Sequence, residues 1–268
     1  MNPSIAFIGA GNMAEALIRG LRSAQAGAIV AADVRQERLE QLRAHYGIEI
    51  CADNARAASN ADVVVVAVKP QQMSEALGSL RSAIAHRPLL ISIAAGITTA
   101  RIERELIGEP RVVRAMPNTP ALVGAGVAAV CRGRFATEAD LAVAEGILRA
   151  VGLVVRVEER EMDAVTALSG SGPAYIFYMT EALIAAGVEA GLSEEVAKQL
   201  ATQTVFGAAE LLVESGRAPA ELRGKVTSPG GTTEAALKVM QERGFEKIVA
   251  EAVRAAARRS RELSGDIE

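Results

Sequence analysis

Residues 5–14 read Ile-Ala-Phe-Ile-Gly-Ala-Gly-Asn-Met-Ala, and their pattern decides the architecture of the first half of the chain. Ile5 to Ile8 is a short apolar run suited to a buried strand. It meets Gly9, and the apolar spacing then changes to Ala14, Leu17, Ile18 and Leu21, the period of a helix packed by one face. Strand, tight turn and helix in this order frame a GxGxxA fingerprint. Gly9 permits the turn, Gly11 lets the backbone approach a pyrophosphate, and Ala14 keeps the helix close to the sheet. The helix N-terminus then offers amides and a positive dipole end to phosphates.

Working outward, a second strand is expected at Ala28 to Ala32, followed by Asp33 and a helix spaced on Leu39 and Leu42. Val63 to Val68 is β-branched and unalternating, as a parallel strand buried on both faces should be. Leu89 to Ile93 and Val112 to Ala115 read as further strands of the same sheet. Strands alternating with helices predict a doubly wound α/β domain of Rossmann type over residues 1–158. After Val157 the strand signals stop, so residues 159–268 read as an all-α domain. Its helix from about Ala174 to Ala190 carries Ile176, Phe177, Met179, Leu183, Ile184 and Val188, more faces than one small domain buries. An intersubunit interface or a central helix buried within the monomer accounts for them. Gly187 and Gly191 predict close helix packing and a helix C-terminus.

Composition narrows the function. Half the residues are hydrophobic and 23% are charged, the balance of a globular protein, and aromatics are only 3%. A net charge of −3 with interspersed signs offers a polyanion no basic field, so nucleic acid is not an expected partner. The longest apolar runs are strand-length, with no membrane segment or signal peptide, which predicts a cytoplasmic protein. Cys51 and Cys131, like His45 and His86, are isolated in sequence and predict neither a disulfide nor a metal site.

Asp33 falls where a carboxylate accepts hydrogen bonds from an adenosine ribose and repels a 2'-phosphate, which favours NADH. Arg35, two residues on, equally reaches a 2'-phosphate and favours NADPH. The sequence leaves both cofactors open.

Four segments follow the glycine loop: Ala-Val-Lys-Pro-Gln (67–71), Met-Pro-Asn-Thr-Pro (116–120), Leu-Ser-Gly-Ser-Gly-Pro-Ala-Tyr (168–175) and Lys-Val-Thr-Ser-Pro-Gly-Gly-Thr-Thr (225–233). In this order the chain resembles the pyrroline-5-carboxylate reductases over essentially its whole length, and the last segment is the most specific. The resemblance implies reduction of 1-pyrroline-5-carboxylate to L-proline, the last step of proline biosynthesis, by NADPH or NADH. It also implies a helical domain that interlocks with its twin in a homodimer; larger rings of dimers occur in the family. Ile8, Gly9, Ala10, Gly11, Asn12, Met13, Asp33, Arg35, Asn54, Ala67, Val68, Lys69, Pro70 and Ala95 fall at cofactor positions. Ser228, Gly231, Thr232 and Thr233 fall at substrate positions, and Glu159 matches a position bordering the substrate pocket in some members. A common family pattern at the second strand is Asn-Arg; here it is Asp33-Val34, which sets the expected NADPH preference in question.

The residues support this chemistry in their own right. Pro229 biases Ser228 toward an extended conformation, Gly230 and Gly231 allow a sharp turn with exposed amides, and Thr232 and Thr233 begin a helix, together an anion cradle sized for a carboxylate. An ordinary glycine turn capping a helix is the plainer alternative. Imine reduction needs hydride at the C=N carbon and a proton on nitrogen, both mainly positional tasks. Thr233 can hydrogen-bond the ring nitrogen but is too weak an acid to release its proton freely, leaving the substrate iminium or a bound water as the source. Lys69, at the end of a buried strand, either helps place cofactor or substrate charge or is a solvated strand-end lysine. A β-hydroxyacid dehydrogenase shares this domain plan but needs a base, and Lys198 is the one lysine of the two long central helices. A nucleotide-sensing regulator without catalysis leaves the Pro-Gly-Gly-Thr-Thr turn unused. Ring size depends on pocket shape, so a six-membered imine also stays open.

Overall fold

The computed structural model describes residues 2–106 and 108–264. β1 (Ile5–Ile8), wholly buried, runs straight into the glycine turn and α1 (Asn12–Ser23). Ala14, Leu17, Ile18 and Leu21 are all buried on one side of that helix, the spacing the sequence gives. The chain continues through β2 (Ile29–Ala32), α2 (Gln36–Tyr46), β3 (Glu49–Cys51), α3 (Asn54–Ala58), β4 (Val63–Val66), α4 (Met73–Leu80), β5 (Leu89–Ser92), α5 (Thr99–Glu105), β6 (Arg111–Met116), β7 (Gly126–Arg132), α6 (Glu138–Leu148) and β8 (Gly152–Arg156). The strands form one sheet in the order β3-β2-β1-β4-β5-β6-β7-β8. Order reverses between β1 and β4, the place where such sheets open a crevice at their carboxyl edge.

All neighbours are parallel except β6 and β7, which are antiparallel. The reversal passes through Met-Pro-Asn-Thr-Pro. Asn118, buried there, accepts the Val127 N–H at 2.9 Å and donates to the Ser169 carbonyl at 3.1 Å. The β2 strand starts one residue later than expected, and the valine strand stops at Val66, because Ala67 and Val68 turn out toward the cleft.

The remaining elements are helical: α7 (Met162–Val165), a π turn over Thr166–Gly170, α8 (Gly172–Glu189), α9 (Glu194–Ser215), α10 (Pro219–Lys225), α11 (Thr232–Glu242) and α12 (Phe245–Ser264). By compactness the chain divides into one unit of residues up to 171 together with those from 254 onward, and a second of residues 172–253. Within the first, Ser260 donates to Asp163 at 2.6 Å, tying the last helix to the segment after the sheet. In the second, Gly187 packs against Ala197, and Gly191 is left-handed where α8 ends. No side chain of α8 is buried; Phe177 and Tyr178 are 61% and 76% exposed. This overturns a central helix buried within the monomer.

Candidate active site

The carboxyl edge of β1, β2 and β4 opens into a cleft of about 440 Å³ lined by Gly9, Gly11, Asp33, Arg35, Asn54, Ala67, Val68 and Lys69. Eight sequence-named cofactor positions thus come together. Ile8, Ala10, Asn12, Met13, Pro70 and Ala95 lie outside the lining. Ile8 and Ala10 have fully buried side chains, so they can serve only through their backbone. Gln72, Glu75 and Ser79 also line the cleft. Sequence reading misses them because polar residues on a short helix look like any solvated face. Ser79 accepts a hydrogen bond from the Asn54 amide at 3.1 Å.

The glycine turn is held from both sides. Gly9 is left-handed, φ +95°, and a side chain there would sit 2.7 Å from the Ala67 carbonyl oxygen. The Ala10 N–H donates to Asp33 at 2.8 Å, and the Ala10 carbonyl accepts from Arg38 Nε at 2.8 Å. Arg38 is itself paired with Glu15, to which Tyr46 donates at 2.9 Å. The Arg38 guanidinium holds the Glu15 carboxyl below the usual carboxylate range, while burial and the neighbouring Glu15 push the Tyr46 phenol up. Neither Arg38 nor Glu15 carries a motif signature; only the folded contact reveals them.

Asp33 differs from expectation in its surroundings. Its side chain is 9% exposed, whereas Arg35, lying across it, is 61% exposed. Arg35 donates through Nε at 3.0 Å and Nη2 at 3.1 Å, and its backbone N–H at 2.9 Å. Burial pushes the Asp33 carboxyl up, but the donors from Arg35 and Ala10 outweigh it and keep it low. This end of the cleft therefore presents a guanidinium. Lys69 is exposed at the end of the strand segment and is paired with no carboxylate among the described residues.

In the second unit, Thr232 and Thr233 are the first two residues of α11 and Gly231 is its N-cap. Thr233 therefore does not cap the helix. The expected exposed glycine amides are a point of correction: the Gly230 N–H donates to Glu234 at 2.8 Å and the Gly231 N–H to the Ser228 carbonyl at 3.0 Å. What stays open is the first turn of α11, whose N–H groups have no acceptor within the helix, beside the hydroxyls of Ser228, Thr232 and Thr233.

Glu159 lies in the first unit, where it accepts from Arg114 at 2.6 Å and from the Thr99 hydroxyl at 2.8 Å. Arg114 is 4% exposed, so Glu159 neutralises a buried cation. Cys131 packs against the same carboxylate, and burial together with that charge pushes its thiol up, out of reach of nucleophilic chemistry.

Residues 159–263 match the family described as pyrroline-5-carboxylate reductase dimerisation, and residues 4–96 match NADP oxidoreductase, coenzyme F420-dependent. The chain is 47% identical over 266 residues to the pyrroline-5-carboxylate reductase of Pseudomonas aeruginosa, covering 98% of this chain and 97% of that protein. The structure of the Coxiella burnetii enzyme superposes with a TM-score of 0.93 at 41% identity, covering 98% and 99% of the two chains. That of the Plasmodium falciparum pyrroline carboxylate reductase, with NADP bound, gives 0.87 at 31% identity, covering 98% of each. A glycine-loop crevice, a Pro-Gly-Gly-Thr-Thr helix start and likeness along the full length of these relatives converge on one conclusion: the chain belongs to the pyrroline-5-carboxylate reductase family.

Proposed function

We propose that this protein is an oxidoreductase that reduces 1-pyrroline-5-carboxylate to L-proline with NAD(P)H, the last step of proline biosynthesis. The observation that carries the reading is the match, over 98% of the chain, to a relative bearing that activity in its name. The cleft fits the cofactor: a Cβ at Gly11 meets nothing within 4 Å, so the bare backbone faces open space at the positive end of α1. Gly9 to Met13 and Lys69 would hold the pyrophosphate side, and Asn54 and Arg35 the adenosine side. Arg35 over Asp33 supports a preference for NADPH, since a 2'-phosphate meets a cation there.

Bound NAD(P)H supplies the hydride. The chain's own part is to bind and orient the imine. The first turn of α11, with Ser228 and Thr232, receives the substrate carboxylate, and the Thr233 hydroxyl bonds the ring nitrogen so that its C=N carbon is held for attack. The nitrogen's proton comes with the substrate iminium or from water, because a threonine hydroxyl is too weak an acid to supply it. Glu159 braces the buried Arg114 within the first unit.

In this reading, residues 1–158 carry the cofactor, and residues 159–268 carry dimerisation and substrate. The family match to residues 159–263 supports that division and a homodimer. Apolar side chains uncovered on α9 as well as α8, Phe206 and Leu211 among them, offer such a homodimer its contact surface. No described helix is long and apolar enough to cross a membrane, which agrees with a cytoplasmic site of action. The alcohol-oxidising alternative draws nothing from Lys198, which stands on the exposed face of α9. Purified protein assayed for NAD(P)H oxidation with 1-pyrroline-5-carboxylate, beside 3-hydroxy acids with NAD(P)+, tests the proposal. Turnover of the hydroxy acids alone would overturn it.

A further inference from the structure

The turn assigned to the substrate already holds a carboxylate of the protein's own. Glu234, third residue of α11, reaches back so that Oε2 accepts the Gly230 N–H at 2.8 Å. Gly230 is left-handed at φ +72°, the sharpest point of the turn, and the next N–H is spent on Ser228. One side-chain acceptor thus orders the loop between Ser228 and the two threonines.

We propose that Glu234 is a positioning residue for the reaction. It fixes Gly230, and through it Ser228, Thr232 and Thr233, in the arrangement that receives the anionic substrate, while its charge tempers the affinity for that anion. The inference rests on the reading of Pro-Gly-Gly-Thr-Thr as the substrate turn. Its two parts pull in opposite directions. The hydrogen bond orders the donors before the ligand arrives, which favours binding. The negative charge offsets the positive end of α11, which disfavours a second anion.

Two substitutions separate these parts. Glu234→Gln keeps an acceptor at the same reach and removes the charge; Glu234→Ala removes both. Steady-state kinetics with 1-pyrroline-5-carboxylate at low and high salt, NADPH titrations and thermal melts on both variants form the test. Glu234→Gln should lower the substrate KM about 2- to 5-fold at low salt, a gain lost at high salt as the charge is screened. Glu234→Ala should raise the substrate KM and lower kcat by about 5- to 10-fold at either salt. The affinity for NADPH should be unchanged in both. Substrate kinetics equal to wild type in the two variants, with or without a lowered melting temperature, would overturn the proposal, as would equal losses in both. Where Glu234→Ala is too unstable to assay, the salt-dependent KM of Glu234→Gln decides alone. A wild-type chain that does not reduce 1-pyrroline-5-carboxylate overturns the underlying reading and this inference with it, a failure distinguished by the absence of any rate to modulate.

Discussion

Gly9 and Gly11 stand two residues apart in one loop, yet the structure gives their substitution opposite consequences. Gly11 has an extended backbone, φ −69° and ψ −178°, and no atom lies within 4 Å of an added Cβ. Gly11→Val is therefore expected to fold with a melting temperature within a few degrees of wild type, while its branched side chain fills the open space facing the cleft and blocks the pyrophosphate. At Gly9 an added Cβ is forced to φ +95° and to 2.7 Å from the Ala67 oxygen and 2.9 Å from its carbon. The left-handed backbone costs about 1–2 kcal/mol, and displacing the chain beyond β4 adds about 1–2 kcal/mol more. Gly9→Ala should then lose roughly 3 kcal/mol, or about 6–12 °C in melting temperature for a unit of this size. Thermal melts and titration of NADPH fluorescence on both variants are the assay. Native affinity in a folded Gly11→Val, or a wild-type melt for Gly9→Ala, would refute the reasoning.

Three further outcomes are expected. Thr233→Ala should lower kcat by about 10- to 100-fold through loss of one hydrogen bond in the transition state, with Thr233→Ser keeping most activity and the melting temperature little changed, since Gly231 is the cap; full turnover with reduced stability would oppose this assignment. Arg35→Ala should weaken binding of 2',5'-ADP by about 10- to 100-fold and leave 5'-AMP within about 3-fold, measured by calorimetry; equal losses for the two nucleotides would remove Arg35 from phosphate recognition. Glu15 and Asp33, and likewise Glu145, whose carboxyl is paired with Arg156 and Arg149, all have carboxyls held below their ordinary values. The unfolded chain therefore takes up their protons first, so their stabilisation is complete above the ordinary carboxylate pKa of about 4 and is lost as pH falls through it toward the folded values. Urea midpoints should drop steadily below that pH, and a midpoint flat to pH 3 would contradict it.

The parts of the fold legible in the sequence are those where burial forces a pattern. Four successive valines can only be a strand covered on both faces, and the helix after the glycine turn shows its buried stripe residue by residue. β3, β7 and β8 escape notice for physical reasons. β3 is three residues at an edge with its first side chain exposed. Gly-Val-Ala-Ala-Val-Cys-Arg and Gly-Leu-Val-Val-Arg begin with glycine, and β8 is a half-exposed edge that needs little hydrophobicity. The antiparallel turn between β6 and β7 depends on the two side-chain hydrogen bonds of Asn118, which no spacing announces. At the site, motifs locate the backbone turns well, because glycine and proline act locally. They do not tell which way a charge points: Asp33 faces inward to Ala10, Glu159 faces Arg114, and Glu234 turns back on its own loop.

The eighteen residues of α8 contribute no buried side chain to their own chain. A helix with that surface, packed in its own chain mainly through Gly187 on Ala197, leaves much of its apolar area for a second molecule to cover, and whatever stability that pairing adds rises with protein concentration. Dilution then acts on the helical unit as a denaturant does, while the sheet, with its closed core, is indifferent to it.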